Sequence, residues 1–178
     1  MICFLVGCSA LFSTEPAVTE LYYIHYDEAV IYLEMHITEV EQLLGKPHEI
    51  KKIRTVDPLH TYDKVSWLYD GLQVSFIDFG PADVPREIGQ IAITNPNRSI
   101  KLGQNTLPEI TTKTIKCLYG DPEKLDWRAR MWKEEGILFC RYTVYPLTKI
   151  PPRTFDLYFR FDAKGACDEV IFQSDMFW

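Results

Sequence analysis

The 178-residue chain predicts an α+β fold: two tandem copies of a short helical segment, each followed by an antiparallel sheet. Three observations predict it. A Gly-x-Pro stop closes an apolar helical stripe twice, at Gly45-Lys46-Pro47 and at Gly120-Asp121-Pro122, and the two glycines lie 75 residues apart. An aromatic, alternating stretch with a tight turn follows each stop, at Asp70-Gly71 and at Glu134-Glu135-Gly136. In both halves the helical signal precedes the strand signals, the order of an α+β unit repeated once. The units are read as 21–97 and 98–178, behind a leader and tether over 1–20. The alternative is two unrelated helix stops within one mixed domain, since Gly and Pro punctuate helices often.

The elements follow in order. Residues 1–10 are apolar but too few to span a bilayer. Residues 21–33, rich in Tyr and β-branched side chains, read as one or two strands, or as a strand entering a helix. Thr38-Glu39-Val40-Glu41 has the spacing of a capping box, and Val40, Leu43 and Leu44 form the stripe of the first helix. Glycine takes the left-handed position past such a stripe and a nearby proline cannot continue it, so the helix ends at Gly45. Residues 48–54 hold the densest Lys/Arg cluster and read as a solvated loop between the helix and the first hairpin. Trp67 and Tyr69 alternate with Leu72, Val74 and Phe76 around Asp70-Gly71, the pattern of a two-stranded hairpin with one buried face. Residues 88–93 close the first unit, and Asn95-Pro96-Asn97 is the linker. In the second unit Thr106-Leu107-Pro108-Glu109 repeats the capping device, giving a helix seven residues longer between cap and stop than the first. Strands are expected at 139–145, 155–161 and 169–172, with a break over 146–152 and a turn at Ala163-Lys164-Gly165.

Composition narrows the function. With 47% apolar residues the chain has the means to bury a core, and its net charge of −6 argues against a nucleic-acid partner. His25, His36, His48 and His60 form no metal-ligand spacing, and no nucleophile elbow, phosphate loop or dinucleotide fingerprint occurs. No enzyme, metal or cofactor is expected. Cys140 and Cys167 fall in predicted strands and are candidates for a strand-to-strand disulfide; the alternative is that they and Cys117 are buried reduced thiols.

Leu5-Val6-Gly7-Cys8 resembles a bacterial lipobox, which implies cleavage before Cys8 and acylation of that cysteine. The alternative is an ordinary N-terminal strand. Leu43-Leu44-Gly45-Lys46-Pro47, followed by residues 67–76, resembles the SmpA/OmlA family of outer-membrane lipoproteins, and the duplication is similar to that of the β-lactamase inhibitor proteins. The resemblance covers about residues 33–178. It implies helices packed on antiparallel sheets, a lipid-anchored start in the cell envelope, and a protein ligand in place of a substrate. The sequence departs from the family at Glu34, where a glycine is usual, and over 146–152, which has no counterpart in the minimal unit.

Ten Tyr, ten Phe and four Trp exceed what two small sheets need inside, and such rings are the usual anchors of protein interfaces. The candidate binding residues are Trp67, Tyr69, Asp70, Trp127, Trp132, Glu134 and Tyr142, together with Phe177-Trp178 at the C-terminal end of the sequence. The partner expected is another protein, such as a secreted enzyme or toxin. The competing reading is a small-ligand protein or enzyme, in the envelope or the cytoplasm, with His25, His36 or Cys117 at a pocket between the halves.

Overall fold

The computed structural model describes residues 23–56, 61–80, 86–94, 101–102, 105–106, 109–125, 129–144 and 154–174. The leader over 1–20, Cys8, His60, Asn95-Pro96-Asn97, Trp127, residues 146–152 and Phe177-Trp178 lie outside them. Among the described residues no helix is long and apolar enough to cross a membrane.

The chain begins with a hairpin, β1 (Tyr23–Tyr26) and β2 (Ala29–Tyr32). Asp27, at φ 53°, makes its turn, since a short polar side chain tolerates the left-handed region. Helix α1 (Ile37–Leu44) follows and buries Ile37 and Val40. Its cap is His36, whose Nδ1 accepts from the Thr38 amide at 3.3 Å, and not the Thr38 box that the spacing predicts. After Gly45, at φ 74°, come four strands: β3 (Glu49–Val56), β4 (Thr61–Leu68), β5 (Leu72–Asp78) and β6 (Ile88–Ile93). Two short strands, β7 (Lys101–Leu102) and β8 (Asn105–Thr106), extend the first hairpin into a small sheet ordered β2-β1-β7-β8. Helix α2 (Thr112–Tyr119) is capped by a Thr111/Thr114 box, while Thr106 belongs to β8. Both α-helices are eight residues long, so the longer second helix is not formed. Gly120, at φ 93°, ends it, and an added Cβ there would stand 3.0 Å from Leu125. A 3-10 turn (Pro122–Lys124) leads to β9 (Ala129–Glu134), β10 (Ile137–Val144), β11 (Phe155–Phe161) and β12 (Cys167–Ser174).

Strands β3–β6 and β9–β12 do not make two sheets. They form one antiparallel sheet in the order β3-β4-β5-β6-β12-β11-β10-β9, closed at its middle by Ile91↔Phe172 and Ile93↔Val170. The described residues hold twelve strands against two short α-helices, so the fold is mostly β and the expected α+β tandem of separate helix-plus-sheet repeats is overturned. The reason lies in β6 and β12. Ile88, Ile91 and Ile93 of β6 and Val170 and Phe172 of β12 are buried in the core, and the backbone of a buried strand needs a hydrogen-bonded neighbour on each edge. The two aromatic hairpins are also not equivalent. Asp70-Gly71 joins the second and third strands after α1, whereas Glu135-Gly136, both at positive φ, joins the first and second after α2.

The run over 48–54, expected to be a loop, is strand β3. Its residues are exposed on both faces, with one stretch half-buried at Thr55, so no burial period marked it in the sequence. One face of the large sheet carries the core. Along β11, Phe155, Leu157, Phe159 and Phe161 point into it and Asp156, Tyr158 and Arg160 point away. The helices and the small sheet cover this face: Ile24, Ile31, Val40, Ile110 and Ile115 share a cluster with Val74, Ile91, Phe159 and Phe172. Each helix end is pinned to the sheet by a tyrosine. Tyr69 donates its hydroxyl to the Gly45 carbonyl at 3.1 Å, and Tyr142 donates to Gly120 at 2.8 Å.

Candidate protein-binding surface

The residues singled out from the sequence do not share one surface. Trp67 lies on the core side, half-buried, with its ring edge-on to Phe76 at 5.8 Å. Tyr69 and Asp70 lie beside the end of α1. There they border a cleft of about 520 Å³, together with Asp27, Glu28, Lys46 and His48. Burial pushes the Tyr69 hydroxyl up to about 12, and the Asp70 carbonyl accepts from Tyr26 at 2.7 Å. Tyr142 is a core residue, 2% exposed, with its ring against Tyr119 and Phe159. It therefore presents no ring to a partner. Trp132 and Glu134 stand on the opposite face, away from the helices.

The expected disulfide is absent: Cys140 and Cys167 are free, buried thiols. Strand β11 runs between their strands, with Cys140 paired to Phe159 and Cys167 to Phe161. Two strand spacings amount to about 9–10 Å, beyond the reach of a disulfide. Burial raises the Cys140 thiol to about 11 and the Cys167 thiol to about 12 from an ordinary value of 9.0. Both are poor nucleophiles at neutral pH.

These raised values predict a pH dependence. The folded state keeps both thiols protonated, whereas the unfolded chain releases their protons above about pH 9. Their contribution to stability is complete below that pH and is lost as pH rises towards 11–12. The unfolding free energy is expected to fall by up to about 1.4 kcal/mol per pH unit for each thiol. Denaturant midpoints between pH 8 and 10 check this. The slope should flatten in the Cys140→Ala/Cys167→Ala double variant, and an unchanged slope would refute the assignment.

The outer face of the large sheet holds the features that the sequence reading missed. Trp132 stacks on Phe139 with ring centroids 5.4 Å apart and planes 13° from parallel, and the Arg130 guanidinium lies 5.8 Å from the Trp132 ring. On the next strands Asp156 accepts from Thr143 at 2.6 Å and from Tyr158 at 3.3 Å, and pairs with Arg141 at 3.5 Å. Burial, then the Asp156 charge, raises the Tyr158 hydroxyl to about 12. Arg160 chelates Asp168 at 2.9 and 3.3 Å and reaches Glu169 at 3.0 Å; the Asp168 hydrogen bond holds its guanidinium above the ordinary arginine value. Towards the middle of the sheet the side chains shorten to Ser66, Ser75 and Ala92. Gln73 donates to both serines, and Gln90 donates to Gln173 at 2.8 Å. The signal for these residues was present in the sequence as the alternate positions between buried ones, Asp156, Tyr158 and Arg160 among four inward residues of β11.

Such a face suits binding more than chemistry. The Arg141 and Arg160 guanidiniums are matched by carboxylates, Trp132 is held by stacking on Phe139, and these side chains have less freedom left to lose on association. Among the described residues no group of three His, Cys, Asp or Glu side chains is placed to hold a metal ion. The cleft beside α1 and a second of about 490 Å³ beside β9 are each lined from one half of the chain, and neither includes His25, His36 or Cys117.

No family model matches the chain, so the SmpA/OmlA resemblance has no support from that side. No curated protein matches it either. Among solved structures, a DUF4309 family protein from Bacillus subtilis is similar at 14% identity and a TM-score of 0.38, over 79% of this chain and 78% of its own. A candidate β-lactamase inhibitor protein from Streptococcus mutans is similar at 16% identity and a TM-score of 0.29, over 78% of this chain and 82% of its own. With both TM-scores below 0.5, neither match fixes the fold or the function of this chain.

Proposed function

We propose that the chain is a non-catalytic binder of another protein, an inhibitor, immunity or assembly factor, and that it binds through the outer face of the eight-stranded sheet. The observation that carries this reading is the Trp132-Phe139 stack beside the Arg141-Asp156-Tyr158 network, on a face that no helix covers among the described residues. Trp, Tyr and Arg are the residue types that dominate interface energetics, and here they are already ordered. The partner is a secreted enzyme or toxin with a loop that fits over the short side chains at the centre of the face.

Affinity capture from envelope fractions with the whole chain as bait, followed by titration of the recovered protein, tests the reading. Trp132→Ala or Arg141→Ala is expected to weaken binding by at least about tenfold. Trp67→Ala, on the other face, leaves affinity unchanged once folding is confirmed by circular dichroism. Equal losses at Trp67 and Trp132 would count against the outer face.

The envelope location is part of the same proposal and is supported by the lipobox-like Leu5-Val6-Gly7-Cys8. Radiolabelled palmitate is expected to enter the wild-type chain in a bacterial host and to be lost in Cys8→Ser. Equal labelling of the two would remove the anchor.

A further inference from the structure

We propose that the outer edge of β3, unpaired among the described residues, is a second docking site, which takes up an acidic, extended segment of a partner protein as a ninth strand. This inference is independent of the reading of the outer face.

The two edges of the large sheet differ. At one, the Pro122–Lys124 turn packs against β9, which is only six residues long. At the other, β3 runs for eight residues, without proline and in unbroken register with β4, and no strand lies beyond it among the described residues. Alternate backbone N–H and C=O groups of an edge strand turn away from the sheet, where an added strand can pair with them. Ile50, Ile53 and Val56 are 51%, 64% and 73% exposed, so β3 offers apolar contacts on both of its faces. Of the devices that protect an edge from pairing, short length, a bulge, proline and lysine, β3 carries only the lysines, which repel a basic strand and attract an acidic one.

Charge selects the occupant. Within β3 the cations Lys51, Lys52 and Arg54 face a single carboxylate of the same strand, Glu49, although the chain as a whole carries −6. Lys51 leans towards Glu49 at 3.8 Å and Arg54 towards Asp63 at 3.1 Å; both keep more than half of their side chains exposed. A second copy of the chain is disfavoured as the occupant. Antiparallel self-pairing with full overlap sets Lys51 opposite Arg54, and a shift to the register centred on Ile53 sets Lys52 opposite Arg54. Like charges directly opposite are destabilising, and glutamates at those positions reverse the sign. In the registers of greatest overlap the basic residues thus oppose self-association and favour an acidic strand.

The probe follows from cross-strand complementarity. The peptide Val-Thr-Glu-Val-Glu-Glu-Ile-Lys, laid antiparallel, puts glutamate opposite Arg54, Lys52 and Lys51, and β-branched residues opposite Val56, Ile53 and Ile50. Hydrogen exchange on the full chain, with this peptide at millimolar concentration, is expected to slow the fast-exchanging β3 amides by at least about tenfold. The same peptide with lysine in place of its glutamates should give no protection. Lys51→Glu/Lys52→Glu, both exposed positions, should keep the melting temperature and invert that preference. Trp132→Ala should leave the protection intact, which separates this site from the outer face. The proposal is overturned if neither peptide protects β3, or if both protect it equally. It is also overturned if the β3 amides are already protected in a free protein that sediments as a dimer.

Discussion

Phe159→Ala is expected to lower the unfolding free energy by about 3–5 kcal/mol, the range for emptying a fully buried aromatic site. Phe159 has no exposed surface, and its ring meets Tyr119 at 5.7 Å and Tyr142 at 6.3 Å, so it joins α2 to the centre of the second half. The cavity has little means to close. Its walls are β10, β11 and β12, fixed by backbone ladders, and Tyr142 is held by its bond to Gly120. Guanidinium unfolding measures the loss, and a change below about 1 kcal/mol would mean that the site collapses and that this packing is not rigid.

Ile91→Pro is expected to cost about 3 kcal/mol or more and to destabilise both halves together. Ile91 is fully buried in β6, paired to Val74 on one side and to Phe172 on the other. Proline there removes a ladder donor and forces its ring into the seam between the two sets of four strands. Because that seam is one continuous sheet, the wild-type chain should unfold in a single transition. Single-tryptophan variants that keep Trp67 or Trp132 report on the two halves, and their midpoints should coincide and shift equally in Ile91→Pro. Separate midpoints in the otherwise wild-type background would show two independent folding units.

Some of this architecture is written in local sequence. The patterns from Phe155 to Phe161 and from Ile88 to Ile93 mark strands with those same bounds: the first alternates strictly because one face lies in the core, and the second is a short, nearly continuous buried run. The helix ends at Gly45 and Gly120 are equally local, since the backbone there takes positive φ whatever surrounds it. Strand β3 is a contrary case. Charged and apolar residues follow one another without period because neither face is buried, so only its pairing with β4 defines it. The caps show a subtler limit. Thr38 and Thr106 have the capping spacing, but the isolated bridges His36↔Glu87 and Thr111↔Ala166 tie the chain to the sheet at His36 and Thr111, and the helices start there.

The candidate surface divides in the same way. A surplus of rings and arginines is visible in composition, and Trp132 stands out among them. Phe139 and Arg141 share its hairpin, but Asp156 and Tyr158 come from a strand beyond the chain over 145–153, so register alone brings them to the same face. Tyr142 reads like Trp132 in sequence, yet its place in the pleat sends it inward. Local sequence therefore determined the strands that bury a face, the turns that need left-handed backbone, and the scarcity of catalytic motifs. Tertiary structure alone decided that two sets of strands merge into one sheet, that a strand stands between Cys140 and Cys167, and which rings reach solvent. The physical reason is that strand pairing is non-local: hydrogen bonds between β6 and β12 join residues about 80 positions apart, and no window of sequence contains both.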